Sequence, residues 1–188
     1  MFIVLEGIDG CGKSTQAKLL AKWLEKEGRG VCLTSEPSGS RIGVFIREIL
    51  SGKVDVDPKT LALLFSADRY EHLKKEVMPA LDKESIVVCE RYYHSTIAYQ
   101  SAQGVDKEWL QDMNRFVLEP DLVLFLDVLP GLALDRKEGK EIFEDKEFLE
   151  RVYQEYLNFD ELKKIDGTRR YEEVFEDIKA AVSPLLKR

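Results

Sequence analysis

The residues best placed to do chemistry stand near the start of the chain. Gly7-Ile8-Asp9-Gly10-Cys11-Gly12-Lys13-Ser14, followed by Thr15, has the spacing G-x-x-x-x-G-K-[ST] between an apolar run and a helical pattern. Glycines without a Cβ let successive backbone N–H groups turn inward toward an anion. The helix beginning near Lys13 adds the positive end of its dipole. Lys13 is spaced to reach the outer phosphates of a nucleoside triphosphate, and the Ser14 hydroxyl to take a Mg²⁺ position. Asp9 is the odd member, because a carboxylate in an anion cradle is repelled unless a cation or hydroxyl accompanies it. It reads as a member of the magnesium shell, as an acceptor for a sugar hydroxyl, or as a turn residue bonding its own backbone.

Two further segments carry groups suited to a second ligand. Phe65 and Arg69, four residues apart, share one face of a helix and could clamp a base and a phosphate. Without other information, a core phenylalanine beside a surface salt bridge is the better reading. Arg91 directly follows an apolar strand, which sets a fork of donors suited to bidentate phosphate contact at the strand's end. Beyond it Ser95, Thr96, Tyr99 and Gln100 offer hydroxyl and amide groups at helical spacing. His94 has no companion at metal-ligand spacing and reads as a surface residue.

The elements that must hold these groups alternate. Phe2–Glu6, Val31–Thr34, Ile86–Cys89 and Leu122–Asp127 read as strands buried on both faces, with a shorter fifth at Lys164–Ile165. Helical patterns cover Lys13–Glu27, Ser40–Leu50, Lys59–Leu81, Lys107–Leu118, Lys146–Leu157 and Tyr171–Leu186. The alternation predicts a three-layer α/β fold with a mostly parallel sheet, whose ligands bind beyond the carboxyl ends of the strands. Gly7, Ser35-Glu36-Pro37, Glu90-Arg91, Asp127 and Asp166-Gly167 all fall there.

A net charge of −7 argues against a broad nucleic-acid-binding face, so phosphate chemistry must rely on local positive clusters. Cys11, Cys32 and Cys89 stand singly, which suits a reducing cytoplasm. Phe2–Leu5 is too short for a signal peptide or a membrane span.

Taken together, these segments resemble thymidylate kinase along nearly the whole chain. The landmarks run in order. After the P-loop come Ser35-Glu36-Pro37-Ser38-Gly39-Ser40, similar to R-E-P-G-G-T, and Ile46–Leu50, similar to I-R-x-I-L. Leu64–Arg69 reads L-F-S-A-D-R; Glu90–Gln100 is similar to D-R-Y-x-x-S-x-x-A-Y-Q; Pro120–Val128 matches P-D-L-x-L-x-L-D-V.

The resemblance implies a single P-loop NTPase domain over residues 1–188. It implies five parallel strands in the order 2-3-1-4-5 flanked by helices, a lid near 135–146, and a homodimer. It implies ATP as phosphate donor, Mg²⁺, and phosphorylation of dTMP to dTDP. Phe65 would stack on thymine, Arg69, Thr96 and Gln100 would bond its edge, and Arg47 and Arg91 would hold the monophosphate. Tyr99 would lie beneath the sugar; Asp9 and Glu36 would lie near the sugar and the moving phosphoryl group. Glu90 would join Ser14 and Asp9 around the metal, and Asp166–Thr168 would border adenine. Lys13, Asp9, Arg91 and Arg136 would form the catalytic set.

Three positions depart from the family pattern. Ser35 replaces arginine, Glu90 replaces aspartate, and Ile142 stands where a lid arginine is usual when the P-loop has none. Arg136 then becomes the best lid donor, with Lys137 and Lys140 as alternatives. The rival readings are a P-loop kinase for another nucleoside monophosphate and a nucleotide-binding regulator with weak catalysis. A GTP-driven switch is disfavoured by the lack of an N-K-x-D motif.

Overall fold

A computed structural model describes residues 1–136 and 145–187. The chain runs β1 (Phe2–Glu6), α1 (Lys13–Lys26), β2 (Val31–Ser35), α2 (Arg41–Leu50) and α3 (Pro58–His72). After a π-helical turn at Leu73–Val77 come α4 (Met78–Asp82), β3 (Ile86–Glu90), α5 (Tyr93–Ala102), α6 (Lys107–Met113) and β4 (Leu122–Asp127). The last elements are α7 (Pro130–Asp135), α8 (Lys146–Leu157), β5 (Lys163–Asp166), α9 (Tyr171–Val182) and a 3₁₀ turn at Leu185–Lys187.

The strands form one parallel sheet in the order β2-β3-β1-β4-β5. Central β1 is buried along its whole length, as expected of a strand covered on both faces. β2 departs from the expected full burial: at the sheet edge only part of it is covered, and Leu33 is 44% exposed. The register places Leu5 and Ser35 opposite Glu90, Glu6 opposite Phe125, and Asp127 opposite Asp166. The polar strand ends therefore meet along one edge. Helix α1 packs on β2, β3 and α9, and α5 packs on α8.

Three helices end earlier than their periodicity predicts. The pattern over Lys59–Leu81 breaks at His72, where the chain widens into the π turn before Pro79. Proline has no N–H, and its ring would collide with the carbonyl four residues back in a continuous α-helix. The pattern over Lys107–Leu118 stops at Met113. Beyond it the Tyr92 hydroxyl accepts from Leu118 N and donates to Leu118 O, fixing that segment as a loop. Pro184 likewise ends α9 at Val182. Among the described residues no helix is long and apolar enough to cross a membrane.

Candidate active site

The phosphate loop links β1 to α1. Gly10 has φ +80, and a Cβ there would lie 2.1 Å from the Ala133 carbonyl oxygen, so no larger residue fits. Gly12, with φ +99, is the N-cap of α1 and has no side chain to cap the first-turn amides. The first-turn amides have no carbonyl partners inside the helix, which leaves them available to an anion. Lys13 is 4% exposed, and its Nζ donates to Ile8 O at 2.8 Å, across the loop.

At the end of β3, Arg91 adopts a left-handed backbone, φ +68, which costs a non-glycine residue about 1 to 2 kcal/mol. Its amide donates to Leu5 O at 2.9 Å, and its guanidinium faces the phosphate loop. There it pairs with the Asp9 carboxylate and donates to Ser95 Oγ at 2.9 Å and Gly7 O at 3.3 Å. It also lies 5.1 Å from the centre of the Tyr99 ring. Burial works against the charge on Arg91, but the Asp9 and Glu6 carboxylates near it help hold its pKa above the ordinary value. Burial pushes the Tyr99 phenol far up, against the pull of Arg91, so it stays neutral. The Tyr99 hydroxyl donates to Asp9 Oδ2 at 3.1 Å. Asp9 is therefore turned to Arg91 and Tyr99 instead of bonding its own turn.

The opposite wall comes from α2, α3 and the β2 exit. Arg69 is 1% exposed, so it is no surface salt bridge. Its Nε donates to Glu36 at 2.8 Å, and its two terminal nitrogens donate to Asn114 at 2.5 Å and Thr96 at 2.9 Å. Arg47 donates to the carbonyls of Pro37 and Ser38 at 2.7 and 2.8 Å.

These walls enclose a cleft of about 280 Å³. Asp9, Glu36, Arg47, Phe65, Arg69, Arg91, Thr96, Tyr99 and Gln100 all line it, together with Ser35, Pro37, Leu50, Glu90, Tyr92 and Ser95. Gln100 is 1% exposed, and its side-chain oxygen has no hydrogen-bond partner among the described residues. A buried acceptor of that kind costs about 1 to 3 kcal/mol unless a ligand donates to it. The exposed Ser14 hydroxyl donates to Glu90, which lines the cleft, at 2.9 Å, tying the phosphate loop to the cleft. Cations, an aromatic face and polar side chains thus converge beside a triphosphate cradle.

A family model of thymidylate kinase matches residues 5–178. The chain belongs to the thymidylate kinase family. It is 50% identical over 184 residues to a Methanocaldococcus jannaschii protein named "probable thymidylate kinase", covering 95% of this chain and 93% of that one. Similarly named proteins of Thermococcus onnurineus, 42% identical over the full length of both chains, and Pyrococcus abyssi, 43% identical over 96% and 95%, are also similar to it.

Against the thymidylate kinase pattern, Glu90 keeps a carboxylate at the end of β3, now bonded to Ser14. Arg136, at the end of α7, donates to the carbonyls of Gly167 and Thr168 at 2.9 and 3.1 Å. It is bound to the turn after β5 and does not line the cleft. Lys137, Lys140 and Ile142, with most of the expected lid, lie outside the described residues. Among the described residues no three His, Cys, Asp or Glu side chains are grouped as metal ligands. Magnesium needs few protein ligands when phosphates supply the rest. The hard oxygens of Ser14 and Glu90 at the loop's edge fit that requirement.

Four contributors are not singled out as site residues by the sequence. His94, expected on the surface, is wholly buried because α8 covers α5. It stacks on Tyr93 at 3.9 Å between ring centres, and its Nε2 lies 3.2 Å from Glu161. That hydrogen bond lowers the Glu161 pKa. Asp68, also wholly buried, accepts from Ser38 N, Ser38 Oγ and Ser40 Oγ at 2.6 to 2.7 Å, shaping the turn whose carbonyls hold Arg47. His72 backs Glu36 at 3.2 Å. Glu6 is a buried charge closing a central strand; its position at the end of an apolar run is the one signal the sequence offers.

Proposed function

We propose that this chain, as one kinase domain over residues 1–188, transfers the γ-phosphoryl group of ATP to dTMP, giving dTDP. The reading is carried by one observation: nine residues chosen from sequence motifs line a single cleft that Ser14 and Glu90 connect to the phosphate loop.

In this reading the loop amides and Lys13 hold the ATP phosphates, and Arg47 and Arg91 hold the monophosphate. Phe65 covers the thymine face, Arg69 and Thr96 bond its edge, and the unpaired oxygen of Gln100 accepts its ring N–H. Tyr99 lies under the sugar and, with Asp9, disfavours a ribose 2′-hydroxyl. Glu36 fixes Arg69.

The attacking group is a phosphate oxygen whose second pKa is about 6, by analogy with phosphorylated side chains. It is dianionic at neutral pH and needs no general base. The obstacle is repulsion between two anions, which Lys13 and Arg91 offset while aligning them for in-line attack. Magnesium held by Ser14, Glu90 and the phosphates would neutralise further charge on the transferring group. Arg136, from the adenine side, would join the lid in closing the donor site.

We further propose a cytoplasmic homodimer. Leu63, Ala67 and Tyr70 recur at helical spacing on α3 and are exposed, Leu63 and Tyr70 by 51% and 52%, an apolar face that a second copy would cover. Free Cys11, Cys32 and Cys89 fit a reducing compartment.

The test is turnover of purified protein with ATP and a panel of monophosphates. dTMP should give the highest kcat/KM; faster turnover of UMP, CMP or dGMP would overturn the substrate assignment.

A further inference from the structure

Glu6 ends the central strand β1 with a carboxylate that is wholly buried, one residue before the phosphate loop. Oε1 accepts from Tyr92 N at 2.8 Å and Ser95 N at 3.3 Å. Oε2 accepts from Ser95 Oγ at 2.6 Å and Tyr156 OH at 2.8 Å. Four donors from β3's exit, α5 and α8 therefore converge on one side chain, which compensates an ionised carboxylate removed from water. Because the two amides belong to the start of α5, the charge also sits at that helix's positive end.

We propose that Glu6 is the positioning residue for Arg91, acting by two routes. The first runs through the backbone. Arg91 sits in the left-handed region, and its turn is clamped on both sides: its own amide bonds Leu5 O at 2.9 Å, and the next amide bonds Glu6. The strained conformation persists because β1 holds it at consecutive positions.

The second route runs through Ser95. A serine hydroxyl has one proton, and here it is committed to Glu6 at 2.6 Å. The Ser95 oxygen is then an acceptor toward Arg91, whose NH1 donates to it at 2.9 Å. The carboxylate thus sets the polarity of the relay. A glutamine at position 6 has nearly the same shape, but its NH₂ would compete to donate to Ser95 and Tyr156. The Ser95 proton, released from Glu6, would turn to Tyr156 OH 2.8 Å away or to the guanidinium, so the acceptor toward Arg91 would no longer be fixed. The role is charge-specific and cannot be filled by shape alone.

This inference rests on the proposed substrate, and the experiment separates the two. Glu6→Gln, Ser95→Ala and the double variant are compared with the wild type by calorimetric titration of dTMP and by steady-state kinetics, well below each melting temperature. Glu6→Gln is expected to weaken dTMP binding about tenfold, with the KM for ATP changed less than about twofold. Ser95→Ala should do likewise, and the double variant should be little worse than either single one, because both break the same relay. A purely structural role would lower melting temperature and leave the dTMP affinity of folded protein intact.

Wild-type protein that fails to bind dTMP removes the substrate reading and this proposal with it. Wild-type protein that binds dTMP, alongside a Glu6→Gln variant that binds equally tightly, overturns the proposal alone. If Glu6→Gln does not fold, Ser95→Ala decides: unchanged dTMP affinity overturns the relay, and a selective loss supports it.

Discussion

The Ser14 hydroxyl donates to the Glu90 carboxylate at 2.9 Å, joining the first turn of α1 to the last residue of β3. They come from separate segments, the G-x-x-x-x-G-K-S loop and the strand that Arg91 follows, which the family resemblance places together around the metal. Their contact brings the two regions proposed to bind phosphates to a common boundary. If that boundary holds magnesium, Glu90→Gln should raise the Mg²⁺ concentration needed for half-maximal turnover by about tenfold, with a smaller effect on dTMP affinity. A magnesium titration of kcat checks this, and an unchanged midpoint would remove Glu90 from the metal site.

Arg91→Ala should weaken dTMP binding about 10- to 100-fold, the scale of a lost charge-assisted contact of about 1.5 to 3 kcal/mol. Arg91→Lys should recover little, since lysine lacks the planar fork that reaches Asp9, Ser95 and a phosphate together. Calorimetric titration of both variants measures this; full recovery in Arg91→Lys would show that charge alone suffices.

Asp68 acts on Arg47, the other arginine proposed to hold the monophosphate. It accepts three hydrogen bonds from Ser38 and Ser40, and the turn it shapes supplies both carbonyls that hold Arg47. Asp68→Asn should destabilise the fold by about 2 kcal/mol. It should also raise the KM for dTMP more than that for ATP. Denaturant melts and kinetics on the same sample separate the two effects.

Burial raises the phenol pKa values of Tyr92, Tyr99 and Tyr156 above the ordinary value of about 10. A group whose folded pKa is raised contributes stability that is complete below its unfolded pKa. That stability is lost as pH rises toward the folded value. The melting temperature should therefore fall steeply above pH of about 10, while phenolate absorbance of these three tyrosines appears only as the protein unfolds. Ionisation of all tyrosines near pH of about 10 without unfolding would contradict their burial.

Much of the site is legible in the sequence, for physical reasons. Phosphate binding by backbone amides demands glycine at fixed positions, so Gly10 and Gly12 are visible as letters. Strands covered on both faces must be apolar, so β1, β3 and β4 are visible as runs, and Arg91 and Glu36 follow as the polar residues at strand exits. The rest depends on neighbours distant in the chain. Glu6 reads only as the end of a buried strand, and Asp68 only as a letter of L-F-S-A-D-R, until β3, α5 and the Ser38 turn close over them. His94 reads as exposed because nothing local says that α8 covers α5. Phe65 and Arg69 stay ambiguous until Glu36, 33 residues upstream of Arg69, is seen to bond it.

The central claim is that one cleft and the phosphate loop hold two nucleotides with their phosphates end to end. Its most direct test is the binding of adenosine and thymidine joined 5′ to 5′ through five phosphates. If the two sites face each other, this compound should bind at least about a hundredfold tighter than dTMP and compete with both ATP and dTMP. Binding no tighter than dTMP, or competition with only one of the two nucleotides, would contradict the account.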